Sequence, residues 1–240
     1  MALHLAGSRE LLRRAVQVGS AVLVALSGGK DSLATLALCK AAFSRVEAFY
    51  MWLVPGLDFV EQPIDKLCDR MGVKLHKVPH WSLAEILKKG VYADRVRALH
   101  LRNVKQRDVE DHLRKQTGIS WTAWGHRQSD SISRRFYLRK TEGYDLAHER
   151  LHPIWDWSTQ DVLSYLKAQR ISAPIHRWGQ DGRRSAGFNP LRVECLAWIR
   201  DHHPEDWQKV LRVFPAAEAA FTRHAMIGDD DDARGEAGAA

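Results

Sequence analysis

Ala21-Val22-Leu23-Val24-Ala25-Leu26-Ser27-Gly28-Gly29-Lys30-Asp31-Ser32 is the stretch on which the reading of the fold turns. Residues 21–26 form an uninterrupted apolar run between Gly19-Ser20 and Ser27-Gly28-Gly29. Such a run reads as a short strand buried on both faces. From Ser32 onward, Leu33, Leu36, Ala37 and Cys39-Lys40 continue at helical spacing. The unit is therefore strand, glycine turn, helix. Paired glycines let the backbone turn sharply and approach a ligand without side-chain obstruction. The helix behind them begins with unpaired amides and a positive dipole end, which together suit a phosphate group. Ser27 and Ser32 add hydroxyl donors and Lys30 a positive charge. A carboxylate is costly in such a place, so Asp31 is expected to position Mg2+ or to orient the loop. The spacing is not that of the longer GxxxxGK[ST] phosphate loop.

Working outward, residues 46–54 read as a second strand and residues 61–71 as a helix closed by Gly72 in the left-handed C′ position. Residues 73–78 read as a strand, 83–89 as a short helix, and 94–116 as one charged helix with Val96, Leu99, Val104 and Leu113 as its apolar stripe. Residues 119–124 are a further strand, and residues 8–18 a leading helix capped by Ser8. Alternation of this kind predicts an α/β fold with a parallel sheet covered on both faces. After Pro153 the pattern turns helical. Residues 1–150 are thus expected to form the α/β domain, 151–228 a C-terminal helical extension, and 229–240 a disordered acidic tail.

A second loop, Gly125-His126-Arg127-Gln128-Ser129-Asp130-Ser131-Ile132-Ser133-Arg134, follows the strand at 119–124. In an open α/β sheet, ligands lie beyond the carboxyl ends of the strands, where strand order reverses. Two glycine-bearing loops could face one such crevice. Arg127 would then offer its planar fork to an anionic group, with Asp130 and Arg134 on the same face. Farther on, Ser158 is expected to cap a helix whose Val162, Tyr165 and Leu166 face the core.

Ser27–Ser32 (SGGKDS) resembles the PP-loop, SxGxDS, of the adenine-nucleotide alpha-hydrolase superfamily. The second loop is similar to the GxRxxDSxxR pattern of PAPS (phosphoadenosine phosphosulfate) reductase-like proteins. Pro153-Ile154-Trp155-Asp156-Trp157-Ser158, leading to Asp161-Val162 and Tyr165-Leu166, resembles a packing element of the same family. The resemblance covers about residues 20–167 and implies a HUP-type doubly wound sheet of five strands. It implies that ATP, or PAPS, is bound through Ser27, Gly28, Gly29, Asp31, Ser32, Gly125 and Arg134. Lys30 and Arg127 would then be catalytic, and Asp31 would serve Mg2+.

The resemblance stops at the thiol. A sulfonucleotide reductase uses a cysteine in an ECGLH string, and here the nearest stretch is Glu194-Cys195-Leu196-Ala197-Trp198. Cys195 shares a helical face with Leu191, Trp198 and Ile199, which suits a core residue. The other cysteines, Cys39 and Cys68, also read as core. Three cysteines without a CxxC pair build neither a disulfide framework nor a thiolate metal site, and a cytoplasmic location is the default expectation. Among the twelve histidines no HExxH spacing occurs; His76 and His80 flank a strand end, and His80 is placed to touch substrate. The loop at 178–188 is expected to close over the site with Arg183 or Arg184.

The net charge of +7 comprises −4 in residues 229–240 and +11 in residues 1–228. A body this basic suits adenine nucleotides and also nucleic acid. Three functions fit. The first is an ATP pyrophosphatase that adenylylates an acceptor substrate. The second is a thiol-dependent PAPS or APS reductase using Cys195, and the third a non-catalytic nucleotide or nucleic-acid binding module. No run is long enough for a transmembrane helix.

Overall fold

The structure, a computed structural model, describes residues 2–172 and 188–222. Of the anticipated closing loop at 178–188, residues 178–187 lie outside the described residues, as does the acidic tail at 229–240. In chain order the elements are α1 (Ala2–Val18), β1 (Ala21–Ala25), α2 (Lys30–Ala42), β2 (Arg45–Trp52), α3 (Asp58–Met71), β3 (Lys74–Pro79), α4 (Leu83–Lys88) and α5 (Arg95–Ala98). They continue as α6 (Gln106–Thr117), β4 (Trp121–Ala123), α7 (Ile132–Thr141), β5 (Tyr144–Asp145), β6 (Arg150–Leu151), α8 (Thr159–Ala168), α9 (Val193–His202) and α10 (Pro204–Val213).

The six strands form one sheet in the order β3-β2-β1-β4-β6-β5. All neighbours are parallel except the edge pair β5 and β6. Strand β1 lies between β2 and β4, with Val22 opposite both Val46 and Trp121. The chain runs outward from β1 through β2 to β3, then returns to lay β4 on the other side. That reversal is the switch point of a doubly wound sheet. The sheet has six strands, one more than the five-strand expectation.

Alternation along β1 divides the interior. Val22 and Val24 point into the larger core, with Leu12, Leu36, Ile64, Leu166 and Phe214. Leu23 and Ala25 point to the other face, packed with Phe49, Leu113, Ile119 and Trp124. Both faces are covered, which is why β1 has no polar residue at any position. Cys195, Leu196, Ile199, Trp207 and Val210 belong to the larger core, so α9 and α10 are built into the interior of the sheet domain. Asp206 strengthens that union. Its buried carboxylate accepts from the backbone N–H of Asp58 and of Phe59, each at 2.9 Å, and so caps α3.

Several local expectations hold. Gly72 adopts the left-handed conformation at φ 61°, and Ser158 caps α8 by accepting from the Asp161 amide at 3.1 Å. Others are corrected. Helix α1 starts at Ala2, and Ser8 lies inside it rather than at its cap. Its buried hydroxyl donates to the Pro153 carbonyl and accepts from Trp157 Nε1, tying α1 to the segment before α8. The single helix expected over 94–116 is two. Asp94 caps α5 through the amides of Val96 and Arg97, and Asp108 restarts the chain as α6 by accepting from the Lys105 amide at 2.8 Å. Val96 and Leu99 are exposed rather than part of a core stripe. The helix after the glycine turn starts at Lys30, two residues before the expected Ser32.

Candidate functional site

At the carboxyl ends of β1 and β4 the two loops meet across a cleft of about 410 Å3. Ser27, Asp31 and Ser32 line it from the first loop, and Gly125, His126, Asp130 and Arg134 from the second. Its opposite wall comes from the end of β2, through Phe49, Tyr50 and Met51, with His80 beyond β3.

The first loop is held by its serines. Ser32 Oγ donates to the Gly29 carbonyl at 2.9 Å and accepts from the Ser27 amide at 3.2 Å. The two hydroxyls, Ser27 Oγ and Ser32 Oγ, stand 3.2 Å apart. Gly28 sits at φ 78°, where a side chain is strained, and its Cα backs onto Ile64 of α3. The first intrahelical bond of α2 runs from the Leu33 amide to the Gly29 carbonyl. The amides of Lys30, Asp31 and Ser32 precede it and have no carbonyl one turn back, so the turn ends in anion-seeking groups.

Gly125 explains how the loops approach so closely. A Cβ there would lie 2.8 Å from the Asp31 carbonyl and 2.9 Å from the Ser32 nitrogen. Its role in this structure is close backbone packing against the start of α2. Beside it, the His126 ring stacks between Trp124 and His152, at centroid distances of 5.2 and 5.3 Å. Burial, and next the positive charge of Arg134, push His126 down to about 4. The cleft therefore holds a neutral imidazole at physiological pH. His152 is deeper, and burial lowers it to about 3.

Arg127 does not offer the free fork expected of it. It is buried, with Nε 3.0 Å from Asp31 Oδ1 and Nη1 3.2 Å from the Thr159 hydroxyl. Its amide donates to Asp130 at 2.9 Å. The Nε–H does not point along the line to Oδ1, so the contact is an ion pair without a directed hydrogen bond, and Oδ1 keeps a buried, unused acceptor. Lys30 Nζ lies 2.6 Å from Asp31 Oδ2. Two cations thus offset the Asp31 charge, answering the cost noted from sequence. Arg134, paired with Asp130 at 3.1 Å, is the arginine that lines the cleft.

Ser27, Asp31, Ser32, Gly125 and Arg134 therefore share one cleft, while Gly28, Gly29 and Lys30 shape the turn beside it and Arg127 lies behind Asp31. Cys195 is apart, wholly buried in α9, with burial pushing its thiol up to about 12. His76 is buried against Glu47 at 2.6 Å, while His80 reaches the cleft as expected. Sequence reasoning gave no role to His126, Trp124 or the β2 wall. The signal available was parallel adjacency: residues at the carboxyl end of β2 must border whatever lies past β1. Among the described residues no group of three His, Cys, Asp or Glu side chains could hold a metal by itself.

A serine–glycine loop with open amides at the switch point of a doubly wound parallel sheet defines a nucleotide-binding protein of the PP-loop kind. Residues 21–187 match the model of the phosphoadenosine phosphosulfate reductase domain, and the chain belongs to that family. Among curated proteins it is similar to tRNA(Ile)-lysidine synthase of Porphyromonas gingivalis, at 22% identity over 222 residues, covering 87% of this chain and 47% of that protein. The chain thus spans about half the length of this relative. Among solved structures it is similar to phosphoadenylyl-sulfate reductase from Candida auris, at 15% identity and TM-score 0.49, covering 75% of this chain and 87% of that one. It is also similar to the NH3-dependent NAD synthetase of Campylobacter jejuni, at 15% identity and TM-score 0.49, covering 95% and 96%. A third similarity is to the U34-tRNA thiolase NcsA of Methanococcus maripaludis, at 16% identity and TM-score 0.48, covering 90% and 79%.

Proposed function

We propose that the protein is an ATP pyrophosphatase that adenylylates an acceptor. An acceptor oxygen attacks the α-phosphorus of ATP, the bond from that phosphorus to the bridging oxygen breaks, and pyrophosphate leaves. The observation that carries this reading is the pairing of an open phosphate loop with the burial of every thiol. Cys39, Cys68 and Cys195 are each at most 1% exposed, and a nucleophilic cysteine must present a thiolate to substrate. A reductase working through its own cysteine has none to offer.

In this reading the amides at the start of α2, with the Ser27 and Ser32 hydroxyls, hold the departing pyrophosphate. Lys30 sits beside the same turn and adds positive charge. Arg127 acts through Asp31, fixing the carboxylate that borders the phosphates. Arg134 faces the cleft and offsets charge on the transferred group. His126, neutral and stacked, offers hydrogen bonds rather than charge to the ligand.

The donor set suits a magnesium ion that arrives on the nucleotide, since such ions take most of their oxygens from phosphate and water. Asp31 is the side chain lining the cleft that would hold it, and the ion would supply neutralisation of phosphate charge.

The test is incubation with α-labelled ATP, Mg2+ and candidate acceptors, scoring AMP and pyrophosphate against ADP and phosphate. Pyrophosphate is expected with the label on the acceptor as AMP, or as free AMP once water or a second nucleophile displaces it, unaffected by Cys195→Ala in protein that remains folded. Sulfite release from PAPS with a thiol donor, abolished in that variant, would overturn the proposal in favour of the reductase. ADP with phosphate would also sink it.

A further inference from the structure

Helix α7 is folded yet almost unpacked. Ser131 caps its start by accepting from the Arg134 amide, and Leu138 is its one fully buried side chain. Residues 132, 135, 136 and 139 fall at the i, i+3, i+4, i+7 spacing that normally faces a core. Here the stripe faces solvent: Ile132 is 71% and Phe136 72% exposed, and Arg135 and Arg139 are exposed as well. The helix thus presents an exposed aromatic and an aliphatic side chain interleaved with two arginines on one open face.

The charges on this helix select the partner. Ile132–Thr141 carries Arg134, Arg135, Arg139 and Lys140 and no acidic residue. Arg134 pairs with Asp130, whereas Arg135, Arg139 and Lys140 have no carboxylate within ion-pair distance among the described residues. Arg135 and Arg139 are nonetheless ordered, because both donate to Gln128. Arg135 Nε reaches its carbonyl at 3.3 Å and Arg139 Nε its side-chain oxygen at 3.1 Å. Neutral acceptors fix the two guanidinium groups without consuming their charge. The surrounding sequence adds to the field: residues 95–140 hold twelve Lys and Arg against four Asp and Glu, a net of +8 in a chain of net +7.

We propose that this face of α7 binds a single strand of nucleic acid. The phosphates rest on Arg135 and Arg139, and a base lies against Phe136. Fixed arginines beside an exposed aromatic ring match the two halves of such a strand, its charged backbone and its stackable bases. An acidic protein segment would use the arginines and leave the ring unexplained. Two exposed apolar side chains on ten residues are few for a membrane surface. Arg134, on the same helix, lines the nucleotide cleft, so a strand laid along α7 leads to the site as the acceptor. That last step rests on the proposed adenylyl transfer; the binding itself does not.

The experiment is fluorescence anisotropy of the full chain, without ATP, against labelled oligoribonucleotide and oligodeoxyribonucleotide strands of about 16 nucleotides. Salt-dependent binding is expected. Replacing both arginines (R135A with R139A) should lower the slope of log affinity against log salt by about 1.4, at about 0.7 per strand phosphate. Phe136→Ala should weaken binding about tenfold at fixed salt with the slope unchanged. Replacing both arginines by lysine should keep most of the slope, and all variants should keep the parent's urea midpoint. Tighter binding of one strand type identifies the sugar preferred. Binding unaffected by these substitutions overturns the proposal, as does equal binding of a duplex with Phe136 immaterial. Binding of polyglutamate or anionic vesicles in place of the strands overturns it too. Lys30→Ala should remove ATP turnover without changing strand binding, so the two proposals fail separately.

Discussion

Replacing His152 by phenylalanine removes a titrating group from the interior while keeping an aromatic ring in the stack with His126. His152 is 2% exposed, and neither ring nitrogen finds a hydrogen-bond partner among the described residues. Its folded pKa is pushed to about 3 from an ordinary 6.5, first by burial and then by His126. A histidine lowered in this way is held neutral by the fold. Its stability contribution is complete above about pH 6.5 and is lost as pH falls toward the folded value. At pH 5 the unfolded chain binds a proton that folded His152 refuses. Across those 1.5 pH units, at about 1.4 kcal/mol each, the loss is about 2 kcal/mol. Urea unfolding of parent and His152→Phe at pH 7.5 and pH 5 measures it. The larger ring costs about 1–3 kcal/mol in overpacking, and removing a buried unpaired N–H returns a similar amount. Both terms are independent of pH, so the comparison is between slopes. The variant should lose about 2 kcal/mol less than the parent between the two pH values. Equal losses would refute the reasoning, and would mean that His152 takes up its proton in the folded state.

Arg127 and Asp31 are expected to act as one unit. Arg127→Ala and Asp31→Ala should each slow pyrophosphate release at least about tenfold with little change in KM for ATP, and the double variant should be no slower than the worse single one. Additive losses would separate their roles. Arg127→Ala should also cost about 1–3 kcal/mol of stability, below the figure for a fully enclosed pair, because the Asp31 side chain is 26% exposed. Gly125→Ala should destabilise by about 1–3 kcal/mol and weaken ATP binding together, since its Cβ would press on the backbone of Asp31 and Ser32. Calorimetric ATP affinity equal to the parent's would show that the two loops do not share the ligand.

What could be read in advance was chemistry carried by the backbone. A strand covered on both faces must be apolar at every position, so β1 announced itself. A turn that needs φ near 78° needs glycine, so the Gly28-Gly29 pair marked the end of that strand. Gly72 and Ser158 worked in the same way, because a left-handed cap and a side-chain cap each depend on residues within one turn. What could not be read was pairing across the fold. Ser8 resembled an N-cap until Pro153 and Trp157 were seen to claim its hydroxyl from 145 and 149 residues away. Arg127 looked free for phosphate because nothing in its neighbourhood of sequence shows that Asp31 and Thr159 converge on it.

The same distinction bears on how the site works. The anion-seeking amides are local, a strand end followed by a helix start, and any sequence that supplies the turn supplies them. The groups that set charge around the turn are not local. Asp31 is fixed by Arg127 from beyond β4, Arg127 is held by Thr159 at the start of α8, and His126 is kept neutral by burial beneath Trp124 and His152. Segments on both sides of residue 150 therefore meet at Asp31. A disturbance of α8 would be felt at the first loop through a buried guanidinium rather than through the backbone, so Thr159→Val, far from the cleft, should slow the proposed pyrophosphate release in the same direction as Arg127→Ala.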